Sequence, residues 1–165
     1  MEYNTYDPSS DLESIIKCFW SLKVPREDSA IKQQILPDGC MEIIFTFGDD
    51  IKRYTDSEKF KIQPRSFILG QITKPFFIEP IGEVDTFAVR FYPNGLRHFV
   101  NVPLYKLSDN ETELDKIFEP KQVEDLVERI SRTEVTEERI GFIEEFLHSV
   151  LQRNINANEL IKSNN

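Results

Sequence analysis

The chain has 165 residues, 39% of them apolar and 30% charged, the balance of one folded domain with a real core. Lysine and arginine number 20 against 29 acids, a net charge of −9, which all but excludes duplex binding by these residues alone, because phosphate contacts need a basic face. No stretch reaches the ~20 apolar residues of a membrane helix, no basic-then-apolar leader opens the chain, so the cytoplasm is the expected location, and two cysteines are too few for a disulfide framework.

In chain order, Ser10 and Glu13 have capping-box spacing, and Leu12, Ile15, Ile16 and Phe19 follow at helical intervals. A short N-terminal helix ending before Pro25 is expected there. Ile31 to Leu36 reads as a strand stopped by the turn residues Pro37-Asp38-Gly39. Cys40 to Phe47 alternates, with Met41, Ile43, Phe45 and Phe47 on one face and Glu42, Ile44 and Thr46 on the other. Ile51 to Thr55 is a weak strand, and 56–64 is polar and reads as a loop. Ser66 to Ile72 and Phe76 to Glu79 are further strands. Val84 to Tyr92 is the strongest, with Phe87, Val89 and Phe91 opposite Thr86, Ala88, Arg90 and Tyr92. Six short strands punctuated by turns, with no βαβ alternation, predict an antiparallel sandwich or barrel.

After Pro93 the pattern becomes helical. A short helix over Leu96 to Val100 and a turn over Glu113 to Phe118 precede two amphipathic helices. Val123, Leu126, Val127 and Ile130 form the stripe of the first. Ile140, Ile143, Phe146, Leu147, Val150 and Leu151 form that of the second. Residues 109–150 concentrate the acid, 13 carboxylates against 5 basic side chains. The polar segment 154–165 reads as a linker, leaving 1–153 as the domain.

Candidate chemistry is sparse. His98 and His148 sit in different helical segments and no strand carries a histidine, so neither a metal nor another cofactor is expected. Cys18 and Cys40 have no histidine nearby, and no nucleophile elbow, phosphate loop or dinucleotide fingerprint occurs. Glu42 and Arg90 both point away from the phenylalanine faces of their strands. If those strands are neighbours, the two side chains form a cross-strand pair, which either holds the sheet or lines a cavity. Asp38, Phe45 and Tyr92 complete the candidate ligand-binding set, the aromatic rings serving either as core or as the wall of a ligand cavity.

The order of motifs adds to this. The block Leu36-Pro37-Asp38-Gly39-Cys40-Met41-Glu42, then Gly70-Gln71-Ile72-Thr73-Lys74-Pro75, then Val89-Arg90-Phe91-Tyr92-Pro93-Asn94-Gly95, resembles the N-terminal regulatory domain of AraC-type bacterial transcriptional regulators, over about residues 6 to 150. The resemblance implies a module that senses a small-molecule effector, mediates homodimerisation, or both. DNA would be bound by a C-terminal helix-turn-helix domain that these residues do not include. It implies no enzymatic activity and no membrane partner. The expected fold is α+β: an antiparallel β-sandwich or barrel, cupin-like, with an N-terminal helix and a C-terminal pair of amphipathic helices. A metal-independent cupin-like enzyme, such as an isomerase using Asp38, Glu42, Arg90 and Tyr92, is the alternative, and an acidic interaction module ranks third.

Overall fold

The computed structural model describes residues 1–163, with side chains through Ile155. Ten strands form two sheets, and every pairing between them is antiparallel. The first sheet contains β1 (Glu2–Tyr6), β2 (Ile16–Val24), β4 (Met41–Thr46), β7 (Ser66–Leu69), β9 (Val84–Phe91) and β10 (Glu111–Glu113), in the order β1-β2-β9-β4-β7-β10. The second contains β3 (Gln33–Ile35), β5 (Ile51–Tyr54), β6 (Phe60–Ile62) and β8 (Phe76–Pro80), in the order β3-β8-β5-β6. A single helical turn, α1 (Arg26–Ser29), links β2 to β3. Two helices close the chain, α2 (Pro120–Ser131) and α3 (Thr136–Ser163). The α+β class and the C-terminal helix pair are as the sequence predicts.

The first sheet separates two environments, because its side chains alternate between faces. One face carries Phe19, Met41, Ile43, Phe45, Phe87, Val89 and Phe91 into the main core. There they meet Leu126 and Ile130 of α2 and Ile143 and Leu147 of α3. The other face looks toward the second sheet. On β7, Ile68 joins the helix-side core, while Phe67 and Leu69 join a smaller cluster with Ile35, Ile44 and Phe76 between the sheets.

The expected N-terminal helix is not there. Leu12, Ile15 and Ile16 make one turn, closed by Ile16 N–H to Leu12 C=O (2.8 Å), and the chain then enters β2. A bulge between Ile16 and Cys18 shifts the phase of that strand. Phe19 thereby falls on the helix-side core, and Trp20, Leu22 and Val24 fall on the face toward the second sheet. Two further strands, β6 and β10, occupy stretches the sequence reads as loop or helical turn. Of the segment read as a linker, residues 154–163 continue α3, and residues 164 and 165 lie outside the described residues.

Arg139, only 7% exposed, locks the helix pair. Its Nε donates to the carbonyls of Ile130 (3.0 Å) and Thr133 (2.9 Å), and its guanidinium lies 4.3 Å from the Phe47 ring centroid. It thus serves the bare carbonyl end of α2 with a positive charge, where the helix dipole favours one. Arg139→Met keeps the apolar stem and strips the donors. The expected loss is about 2–3 kcal/mol, the scale of hydrogen bonds from a charged group, or roughly 5–10 °C in a thermal melt. An unchanged melting temperature would refute this role.

Candidate functional site

A cavity of about 410 Å³ lies between the two sheets. Its walls come from alternate residues of facing strands: Trp20, Leu22 and Val24 of β2, Ile44 and Thr46 of β4, Phe67 and Leu69 of β7 and Thr86 of β9. From the second sheet come Ile35, Ile51, Phe76 and Ile78. It opens at the edge where Met1 and Ile31 stand 83% and 62% exposed. Its size and apolar walls with few polar groups are those of a small-molecule site.

Glu42 stands in that wall, which also carries Asp28. Register places it directly opposite Arg90, in a row that crosses the sheet from Cys18 through Arg90, Glu42 and Leu69 to Glu111. The cross-strand pair expected from the alternation is formed: Arg90 Nε lies 3.8 Å from Glu42 Oε1. That is an ion-pair distance but too long for a hydrogen bond. Trp20 Nε1–H donates to the same oxygen at 3.1 Å. Burial pushes the Glu42 carboxyl up to about 7, with the Trp20 hydrogen bond acting against the rise. Asp38 reaches the guanidinium from outside, pairing with Arg90 Nη2. The turn sets it there: Gly39 takes a left-handed φ of 79°, and Asp38 Oδ1 accepts the N–H of Cys40 at 3.0 Å.

The structure therefore brings together Glu42, Arg90 and Asp38, but it parts two of the five sequence candidates from them. Phe45, 1% exposed, is on the opposite face of β4, in the core beneath the helices, because odd-numbered residues of that strand all face that way. Tyr92 follows the last residue of β9; its N–H bonds the Ile15 carbonyl and the residue is 41% exposed. Neither touches the cavity. Trp20, Leu22, Val24 and Thr86 do, and the first three are hidden from the sequence reading by the helix assigned to them.

A second, wider cleft of about 740 Å³ lies at the β5–β6 side. In its wall Arg53 and Glu111 tie the sheets together at 3.3 Å, with side chains only 12% and 5% exposed. Arg53 Nη2 also donates to the Asp109 carbonyl (3.2 Å), its guanidinium stacks 3.8 Å over the Phe76 ring, and Gln63 donates to Glu111. Burial raises the Glu111 carboxyl despite Arg53. Arg53 Nη1, though at ion-pair distance from Glu111, has no hydrogen-bond partner among the described residues, and the pair spans the two sheets as a cross-brace. At the surface, Asp11, Glu144 and His148 bring one potential ligand atom each within 4.8 Å of one another. Ser9 bonds Asp11 and Glu144, and His148 Nε2 lies 2.8 Å from Asp11, so the group fastens the N-terminal turn to α3. The sequence gives no sign of it, since Asp11 is far from the other two along the chain.

Fold and site together define an antiparallel two-sheet domain with an internal cavity, backed on one side by a helix pair. The chain belongs to the family described as Domain of unknown function (DUF6597), whose model matches residues 4–113. No curated protein matches it. Among solved structures it is similar to an HTH_3 family transcriptional regulator from Vibrio cholerae, at 13% identity and TM-score 0.39, over 55% of this chain and 50% of that one. It is also similar to the Cupin_2 domain of an XRE family transcriptional regulator from Enterobacter cloacae, at 10% identity and TM-score 0.40, over 56% of this chain and 96% of that one. A third is the FeII form of HppE, at 18% identity and TM-score 0.40, over 54% and 48% of the two chains. The chain spans about half the length of the Vibrio regulator it matches. Among the described residues, no helix is long and apolar enough to cross a membrane.

Proposed function

We propose that this chain is the regulatory domain of an AraC-type transcriptional regulator working in the cytoplasm. It senses a small molecule in the cavity between the sheets and carries no catalysis. It pairs with a second copy, and DNA is gripped by a helix-turn-helix half outside these 165 residues, with 154–165 leading toward it. The observation that carries the reading is the apolar cavity of about 410 Å³ with Glu42 in its wall. The net charge of −9 and the two motif blocks around Asp38-Gly39 and Arg90 accord with it. A ligand acts by favouring one arrangement of the paired domains over another, and a twofold pair matches repeated half-sites on DNA.

A thermal-shift screen of the purified 165-residue protein with small amphiphiles, aromatic acids and sugars tests it. A true effector at about a hundredfold its Kd adds about 2.7 kcal/mol, a shift of several degrees. Sedimentation at tens of micromolar protein should show a dimer. Turnover of a metabolite, or tight binding of duplex oligonucleotides by the domain alone, would overturn the proposal.

A further inference from the structure

The chemistry of the cavity wall narrows what it can hold. Among the described residues, no lysine, arginine or histidine side chain lines it, whereas two acids do, Asp28 and Glu42. Arg90 stands behind Glu42 and outside the lining, and its guanidinium is shared between two carboxylates, Asp38 and Glu42. One positive charge facing two carboxylates leaves the cluster short of a cation. Glu42 Oε1 is held by Trp20, and Oε2 accepts no hydrogen bond among the described residues. Trp20 and Phe67 line the same cavity with aromatic rings, whose faces attract cations through their quadrupoles, while one face of the Phe76 ring is already covered by Arg53.

From this we infer that the cavity takes a small hydrophobic cation: an apolar body among the aliphatic and aromatic walls, with one amine or quaternary ammonium against Glu42. The inference rests on the sensing reading and names its ligand class. An anion of the same size would meet acids and no basic side chain, and would lose its hydration without a partner. A neutral molecule would fill the apolar walls and leave the carboxylate uncompensated.

The test uses three probes that share an eight-carbon chain and differ in head group, octyltrimethylammonium, 1-octanol and octanoate, titrated at about pH 8 into the 165-residue protein. Trp20 is the chain's only tryptophan and stands in the cavity wall, so its fluorescence reports occupancy. The cation should bind at least about tenfold tighter than octanol, equivalent to ~1.4 kcal/mol, and octanoate should bind most weakly. Glu42→Gln should bring the cation to within about threefold of octanol, roughly 0.6 kcal/mol on the same scale. Circular dichroism shows whether the variant folds, and Asp28→Asn supplies a second variant at the other acid of the wall, expected to weaken the cation less. Octanoate binding as tightly as the cation overturns the inference. So does a cation preference that survives Glu42→Gln. Equal binding of cation and octanol removes the charge class but leaves the sensing cavity standing. If none of the three binds, the sensing reading falls and takes the inference with it.

Discussion

Phe87→Ala is expected to destabilise the protein by about 3–5 kcal/mol, the cost of emptying a large aromatic site in a packed core. Phe87 is 1% exposed at the middle of β9, the strand that β2 and β4 flank. Its ring packs 6.2 Å from Phe19 and 6.4 Å from Tyr6, and the Arg139 guanidinium lies 5.9 Å from its centroid. One residue therefore supports the sheet and the arginine that holds α2 to α3. Phe77→Ala is the matched control. Phe77 is 40% exposed on the outer face of the second sheet, and its truncation should cost under about 1 kcal/mol. Urea midpoints of the two variants give the comparison. Equal losses would mean that the helix-side core does not carry the stability assigned to it.

The same alternation that buries Phe87 is what makes half of the candidate site readable from sequence. In Met41–Thr46 and Val84–Phe91 each strand puts aromatic and aliphatic residues on one face, so Glu42 and Arg90 stand out as charges on the other. Their pairing then follows from adjacency of the strands. β2 defeats the same reading. Leu12, Ile15, Ile16 and Phe19 satisfy helical spacing, but one turn and a bulge produce that spacing, and the period-two residues Trp20, Leu22 and Val24 belong to the cavity. β6 is exposed along its whole length, so it carries no alternation to detect. β10 reads Glu-Thr-Glu, and Glu111 becomes a buried group only because Arg53 and Gln63 arrive from the second sheet. Local pattern reports the faces of a strand; it does not report which distant side chains neutralise a charge there.

Division of labour between the two faces of the first sheet follows from that. The helix-side face is filled by rings and aliphatic side chains and carries the stability. The opposite face is left partly empty and carries the polar and ionic groups. A fold that filled both would gain burial energy and lose the space between the sheets. Keeping Glu42 there has a measurable consequence, because a carboxylate in an apolar wall is stable only when protonated or paired.

Glu42→Gln is accordingly expected to raise stability at pH 8, and to raise it far less at pH 5. The folded-state value of the carboxyl, about 7, lies above the ordinary 4.5 that the unfolded chain would show. Between those values the native state holds more protons than the unfolded state, so the contribution of Glu42 is fully present below about 4.5 and is lost as pH rises through 7. Each tenfold change in proton affinity between the two states is worth about 1.4 kcal/mol, which makes the full effect up to about 3 kcal/mol. The groups that face Glu42 offset it only in part, through the hydrogen bond from Trp20. Trp20 and Cys18 of β2 are neutral, the Cys18 thiol and the Tyr3 phenol of β1 both being pushed upward chiefly by burial. Arg90 of β9 is drawn off by Asp38 from the β3–β4 turn. Glutamine keeps the oxygen that accepts the Trp20 N–H and removes the charge. Urea unfolding of both proteins at pH 5, 6, 7 and 8 should show the variant's advantage growing with pH, by roughly 1–3 kcal/mol across the series. An advantage that is flat with pH, or that shrinks as pH rises, would mean that Arg90 neutralises the carboxylate within the fold and that the wall of the cavity carries no uncompensated charge.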